Sequence, residues 1–194
     1  NNVAIENSSN TISDALENIT LNLNDVTTGN QTLTITQDTS KAQTAIKDWV
    51  NAYNSLIDTF SSLTKYTAVD AGADSQSSSN GALLGDSTLR TIQTQLKSML
   101  SNTVSSSNYK TLAQIGITTD PSDGKLELDA DKLTAALKKD ASGVGALIVG
   151  DGKKTGITTT IGSNLTNWLS TTGIIKAATD GVSKTLNKLT KDYN

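Results

Sequence analysis

The chain has no cysteine and no histidine, and a single proline in 194 residues. Without the first two side chains it offers no zinc thiolate or imidazole site, no cysteine nucleophile, no histidine general base and no Ser-His-Asp triad. Lack of cysteine leaves the redox compartment open. Aromatic residues make up only 4% and apolar residues 35%, below the usual globular share. That is too little for one thick core and favours an elongated body of thin helical layers. Positive charge is also short. The net charge is -3 and the pI about 4.9, whereas a surface that tracks phosphates should be basic. The sixteen Lys and Arg residues form no patch, so a nucleic-acid partner is not expected. No run is apolar enough to span a bilayer, and no basic-then-apolar signal peptide opens the chain. The amphipathic stretches carry too little Lys and Arg on their polar faces to attract anionic lipid, so no membrane partner is expected either. In place of all this, Ser, Thr and Asn fill about a third of the sequence, far above ordinary usage.

The strongest periodic signal runs from about Thr39 to Thr64. Ala42, Ile46, Trp49, Tyr53, Leu56, Phe60 and Leu63 follow one another at steps of three and four, and Val50 and Ile57 widen the stripe. A strand would place apolar side chains at every second position. The spacing therefore predicts one long amphipathic helix, with Asp38, Thr39 and Ser40 offering capping oxygens. Asn54 and Asp58 fall on its polar face.

Before it, residues 1–38 read as β. Val3 and Ile5 suggest a short strand, Asn10–Leu16 a capped helical turn, and Ile19, Leu21 and Leu23 a half-buried strand. Thr32–Gln37 would return to complete a hairpin with that strand. The chain opens inside what reads as a strand, so it is expected to be a piece of something longer. After the helix, the Ser- and Gly-rich stretch from Ala68 to Gly81 reads as a connector. Asp86 caps a second helix with Leu89, Ile92, Leu96, Met99, Leu100 and Val104 on one side. Tyr109–Ala113 reads as a short helical turn. Asp120-Pro121-Ser122-Asp123-Gly124 is a turn between two short strands, giving a β-hairpin at about 115–128. Asp129 caps a third helix through Leu133 and Leu137, and a short segment from Val144 to Val149 follows with Leu147 and Ile148. A fourth helix, from about Thr158 to Ser170, has Ile157, Ile161, Leu165, Trp168 and Leu169 on one side. The last, from Ile174 onward, carries Ile175, Ala178, Val182, Leu186, Leu189 and Tyr193 with a period close to a heptad. That pattern calls for a truncated bundle or a partner helix in another chain.

Motifs with chemical content are weak. Gly143-Val144-Gly145 lacks the third glycine of a dinucleotide fingerprint, because position 148 is Ile, and reads as a loop between helices. Gly152-Lys153 is followed by Lys154 where a P-loop needs Ser or Thr. Asp120, Asp123 and Asp129 lack the spacing of a calcium loop and read as a turn plus a helix cap. No catalytic, cofactor-binding or metal-binding residue is assigned, and no cofactor. The residues singled out are packing positions: Ile46, Trp49, Tyr53, Ile57, Phe60, Leu89, Leu96, Trp168, Val182 and Leu186. The residues alone thus describe a non-enzymatic, helix-rich assembly protein.

Several stretches resemble one family in order along nearly the whole chain. They are Asn10–Leu16 with Ile19–Leu23, Gln37-Asp38-Thr39, Ala52–Ile57, Asn80–Ser87, Leu112–Thr118, Asp123–Asp129, and Gly173-Ile174-Ile175 with Thr179-Asp180-Gly181. The family is that of the bacterial flagellar filament-capping proteins, also called flagellar hook-associated protein 2, and the resemblance is to its C-terminal half. Asn80–Ser87 is the most specific match. Ile148 departs from the pattern, which leads one to expect Phe, and bears on local packing. The resemblance implies an α+β fold, mostly α. Residues 1–37 would be closing strands of a β-rich head domain. Residues 38–194 would be an elongated helical leg domain with an inserted β-hairpin. It further implies a structural role in motility: capping the tip of the flagellar filament and promoting the folding and insertion of exported flagellin. Partners would be other copies in a pentameric or hexameric ring, flagellin, an export chaperone and host mucin. The implied place is the extracellular flagellum tip, reached through the flagellar channel without a cleaved signal. The rival function is a tip adhesin that binds host mucin or glycans, and an enzymatic rival is a muramidase.

Overall fold

The computed structural model describes residues 4–17, 19–29, 31–32, 37–104 and 107–193, which form two compact units, Asn1–Gln37 and Asp38–Asn194. The chain is α+β and mostly α, with five α-helices and two antiparallel hairpins among the described residues.

In the first unit β1 (Thr11–Leu16) pairs with β2 (Ile19–Asn22). The helical turn expected over Asn10–Leu16 is thus a strand. Its Thr and Ser signals are local, whereas the ladder to β2 and the Thr11–Asn22 side-chain bond at 3.1 Å reward an extended backbone. Strand β2 therefore takes a partner that precedes it. The return strand expected over Thr32–Gln37, and Val3 before it, fall largely outside the described residues. Among the described residues of this unit only Ile12 is buried, while Ile5, Leu16, Leu23 and Val26 are exposed. Two strands with so little cover are marginal alone.

The second unit is a helical bundle. Helix α1 (Ser40–Leu63) begins where the Asp38 carboxylate accepts from Ser40 N–H at 2.9 Å. It buries Ile46, Val50, Tyr53, Ile57 and Phe60, with Trp49, Leu56 and Leu63 partly buried beside them. Helix α2 (Ser87–Ser101), capped by Asp86 through Leu89 N–H at 2.7 Å, buries Leu89, Ile92, Leu96, Met99 and Leu100. A 3₁₀ turn at Leu112–Ile115 leads into β3 (Ile117–Thr119), which pairs with β4 (Leu126–Leu128). Helices α3 (Ala130–Ile148) and α4 (Ile157–Leu169) complete the core with Leu133, Leu137, Val144, Leu147, Ile148, Ile157, Ile161 and Trp168. Helix α5 spans Ile174–Tyr193.

Polar joints hold these elements together. The outward edge of β4 would leave the N–H and C=O of Leu126 without partners. Asn54 of α1 supplies both: its Oδ1 accepts from Leu126 N at 2.7 Å, and its Nδ2 donates to Leu126 O at 2.9 Å. One residue back, Lys125 Nζ pairs with Asp58 at 2.6 Å, and before that Tyr53 Oη donates to Gly124 O at 3.3 Å. Burial pushes the Tyr53 hydroxyl above its ordinary pKa. Asn54, read from its spacing as a solvent-facing residue, is the clamp on the hairpin.

A second joint closes the end of α1. Gly81 N–H donates to Lys65 O at 2.7 Å and Leu83 N–H to Leu63 O at 2.9 Å. A Cβ at position 81 would lie 2.2 Å from Leu63 O, so only glycine fits. Asn80 Oδ1 accepts from Thr67 N–H at 2.7 Å. The Asn80–Ser87 stretch is therefore one device: it caps α1, turns, and starts α2.

The third joint is inside α3. Asp140 leaves helical geometry (φ -157°, ψ 80°) and the helix resumes beyond it. Its carboxylate accepts from Asn108 Nδ2 and Gly143 N–H, both at 2.7 Å, and these bonds, Asn108 first, hold its pKa below the ordinary value. Gly143-Val144-Gly145 thus lies within a helix, not in a loop. A Cβ at Gly143 would meet Asp140 Oδ2 at 2.4 Å, so a larger residue there would displace the carboxylate, and Val144 is fully buried. Between α3 and α4, Asp151 Oδ1 accepts from the backbone N–H groups of Lys154, Thr155 and Lys153, which hold its carboxyl well below the usual range. The three aspartates considered for calcium are used locally. Asp120 and Asp123 bond within the hairpin turn, and Asp129 accepts from Lys132 N–H as the cap of α3.

Replacing Asn54 with Ala strands both polar groups of Leu126, and the expected loss is about 1–3 kcal/mol in urea unfolding. Phe60→Ala should cost about 3–5 kcal/mol in the same assay, the range for a large buried aromatic, because the bundle closes over that side chain. A loss within about 0.5 kcal/mol for either variant would contradict its placement.

Candidate assembly surface

Ten positions were expected to pack, and the structure separates them. Ile46, Tyr53, Ile57, Phe60, Leu89, Leu96 and Trp168 are buried in one cluster, with Trp49 half-buried against it. Trp168 also donates its indole N–H to Gln95 Oε1 at 3.1 Å, tying α4 to α2. Val182 and Leu186 do not join this core. They are 70% and 62% exposed, and this corrects their expected burial. The physical reason is that α5 meets α4 and α2 but carries cover only at Ala178 and Asp180, and every described residue from Gly181 to Tyr193 is exposed.

The α4–α5 turn sets that geometry. Gly173 sits so close to the end of α4 that a Cβ would lie 2.4 Å from both Asn167 O and Trp168 O. Its N–H donates to Ser170 O at 2.9 Å, and its carbonyl accepts from Ala177 N–H to begin α5. The chain turns sharply there and α5 leaves. No residue of α5 is buried, and only Ala178 and Asp180 are half-buried.

Along α5, Ile175, Ala178, Val182, Leu186, Leu189 and Tyr193 fall on one narrow line at helical spacing, and Lys176, Asp180, Lys184, Asn187, Lys188 and Lys191 occupy the opposite side. Apart from Ala178, every member of the apolar line is exposed. A line this narrow has the spacing of a coiled-coil seam rather than the broader face of a core helix. The Lys176–Asp180 pair at 2.5 Å lies on the surface, where such pairs contribute little. Each large apolar side chain covered there would contribute roughly 1.5–3 kcal/mol. No group of three or more His, Cys, Asp or Glu that could hold a metal occurs among the described residues, and no described helix is long and apolar enough to cross a membrane.

The fold and this line define a helical module that carries a small clamped hairpin and one apolar helix line left bare among the described residues. Residues 1–194 match the family model described as flagellar hook-associated protein 2 C-terminus, and the chain belongs to that family. Flagellar hook-associated protein 2 of Escherichia coli O157:H7 is 99% identical over 194 residues, which is 100% of this chain and 42% of the relative. The Salmonella typhimurium protein of the same name is 53% identical over 193 residues, again 100% of this chain and 41% of the relative. Among solved structures, the D1-D2-D3 domains of the flagellar cap protein FliD from Escherichia coli align with a TM-score of 0.68 at 92% identity. That alignment covers 93% of this chain and 47% of that one. The chain thus spans less than half the length of the relatives it matches.

Replacing Val182 and Leu186 together with Ser is expected to change the unfolding free energy of this chain by no more than about 0.5 kcal/mol, as for ordinary surface sites. A loss of several kcal/mol in urea unfolding would show that the seam is covered after all.

Proposed function

We propose that the longer protein of which this sequence is the C-terminal part caps the tip of the bacterial flagellar filament, outside the cell. There it promotes the folding and insertion of exported flagellin subunits. The observation that carries this reading is the family match across the whole chain, joined to a coiled-coil seam that the described residues leave bare. In this reading residues 1–37 are closing strands of a β-rich head domain and residues 38–194 are a leg domain. Copies assemble into a homo-oligomeric ring, pentameric or hexameric, that holds emerging flagellin while it folds and docks. An export chaperone and host mucin are further partners. The work is mechanical: packing surfaces hold and release subunits, and no residue acts by acid–base chemistry.

The seam gives the reading its test. Replacing Leu186 and Leu189 with Asp in the full-length protein puts two carboxylates on a line built for apolar contact, where an unpaired buried charge is costly. A motile strain carrying only that variant is expected to swim poorly and to shed flagellin as monomer into the medium. If a strain lacking the protein altogether still builds filaments of normal length and sheds no monomer, the capping role is wrong. Glycan-array binding by that same protein would then favour the adhesin.

A further inference from the structure

The chain contains one Asn-Gly pair, Asn80-Gly81, and it lies in the turn that caps α1. This dipeptide is chemically labile. With no Cβ on the second residue, its backbone nitrogen has a free approach to the carboxamide carbon of the asparagine. The nitrogen of Gly81, on losing its proton, attacks Cγ of Asn80. The new N–Cγ bond closes a succinimide, the Cγ–Nδ2 bond breaks, and ammonia leaves carrying a proton. Water then opens the ring at either carbonyl, leaving an aspartyl or an isoaspartyl linkage at position 80.

Every atom that this reaction must free is occupied in the fold. Gly81 N–H donates to Lys65 O at 2.7 Å. Asn80 Oδ1 accepts from Thr67 N–H at 2.7 Å, and Asn80 Nδ2 donates to Gln76 Oε1 at 3.1 Å. The carboxamide is thereby held to the loop rather than turned onto the next nitrogen. The turn is also packed closely on the end of α1, since a Cβ at position 81 would lie 2.2 Å from Leu63 O. We propose that Asn80 is a latent deamidation site, kept shut by the same turn that caps α1, and that it reacts only when the 65–86 loop opens.

The product explains why shutting matters. An isoaspartyl linkage inserts one extra methylene into the main chain between positions 80 and 81. Gly81 N–H and Leu83 N–H then no longer both reach the carbonyls of Lys65 and Leu63. The end of α1 loses its cap, and the turn into α2 loses its register. A chain that reacts while open cannot close correctly afterwards, so the modification records time spent unfolded.

The test follows position 80 in this chain at neutral pH, native and in urea, by peptide mapping that separates aspartyl from isoaspartyl products. In urea, Asn80 is expected to convert before any other asparagine. In the native chain its rate is expected to be lower by about tenfold or more, in proportion to the fraction of molecules with the loop open. Gln76→Ala, which removes only the partner of Nδ2, is expected to raise the native rate and leave the urea rate unchanged. Equal rates in the two states, a different asparagine reacting first in urea, or no acceleration on Gln76→Ala would each overturn the proposal.

Discussion

The edge of β4 must find partners, and the second unit is arranged so that it does. A two-stranded hairpin always exposes backbone groups on its outer sides. Among the described residues no third strand closes β4. A single carboxamide on α1 takes the place of one, offering an acceptor and a donor at the spacing a peptide unit would. Tyr53 and Asp58 hold the two residues that lead into that contact, Gly124 and Lys125. Because Tyr53 also faces the core, one helix carries both the apolar cluster and the docking site of the hairpin. Asn54→Asp would keep the acceptor and present a second oxygen to Leu126 O, which explains why an amide and not an acid suits this place.

The composition also finds its explanation in the helices. Hydroxyls on helix surfaces bond back to the carbonyl one turn earlier. Ser55 and Thr59 do so on α1, Thr91, Thr94 and Ser101 on α2, and Thr179, Thr185 and Thr190 on α5. Such back-bonding weakens a helix slightly, but it satisfies the hydroxyl without charge. A chain built this way keeps a polar exterior with few Lys, Arg, Asp and Glu residues. It also places the burden of helix stability on tertiary packing, the usual source in globular proteins.

How much of this could be read from the sequence follows from where each signal lives. The stripes of α1, α2 and α4 were legible because burial repeats every three or four residues in the chain itself. Caps at Asp86 and Asp129 were legible for the same local reason. The role of Asn54 was not, since its partner lies 72 residues away and nothing nearby marks it. Asn10–Leu16 misled because its Thr and Ser favour a cap locally while β2 decides the outcome. Gly143 looked like a loop signal, yet its reason is a carboxylate packed where a Cβ would stand. On α5 the seam was plain, but the stripe says only that an apolar line exists. Whether it is covered depends on what lies against it, and burial of Val182 and Leu186 was the wrong inference.

The long reach of the Asn54 clamp also bears on the order in which the bundle comes together. Bringing α1 to residues 124–126 closes a loop of about seventy residues, whose entropy must be spent before the two bonds return anything. Contacts within α1, and between its end and the adjacent Gly81 turn, span far less chain. The clamp is therefore gained by a chain whose helix and turn are already in place: it latches a nearly finished bundle instead of seeding one.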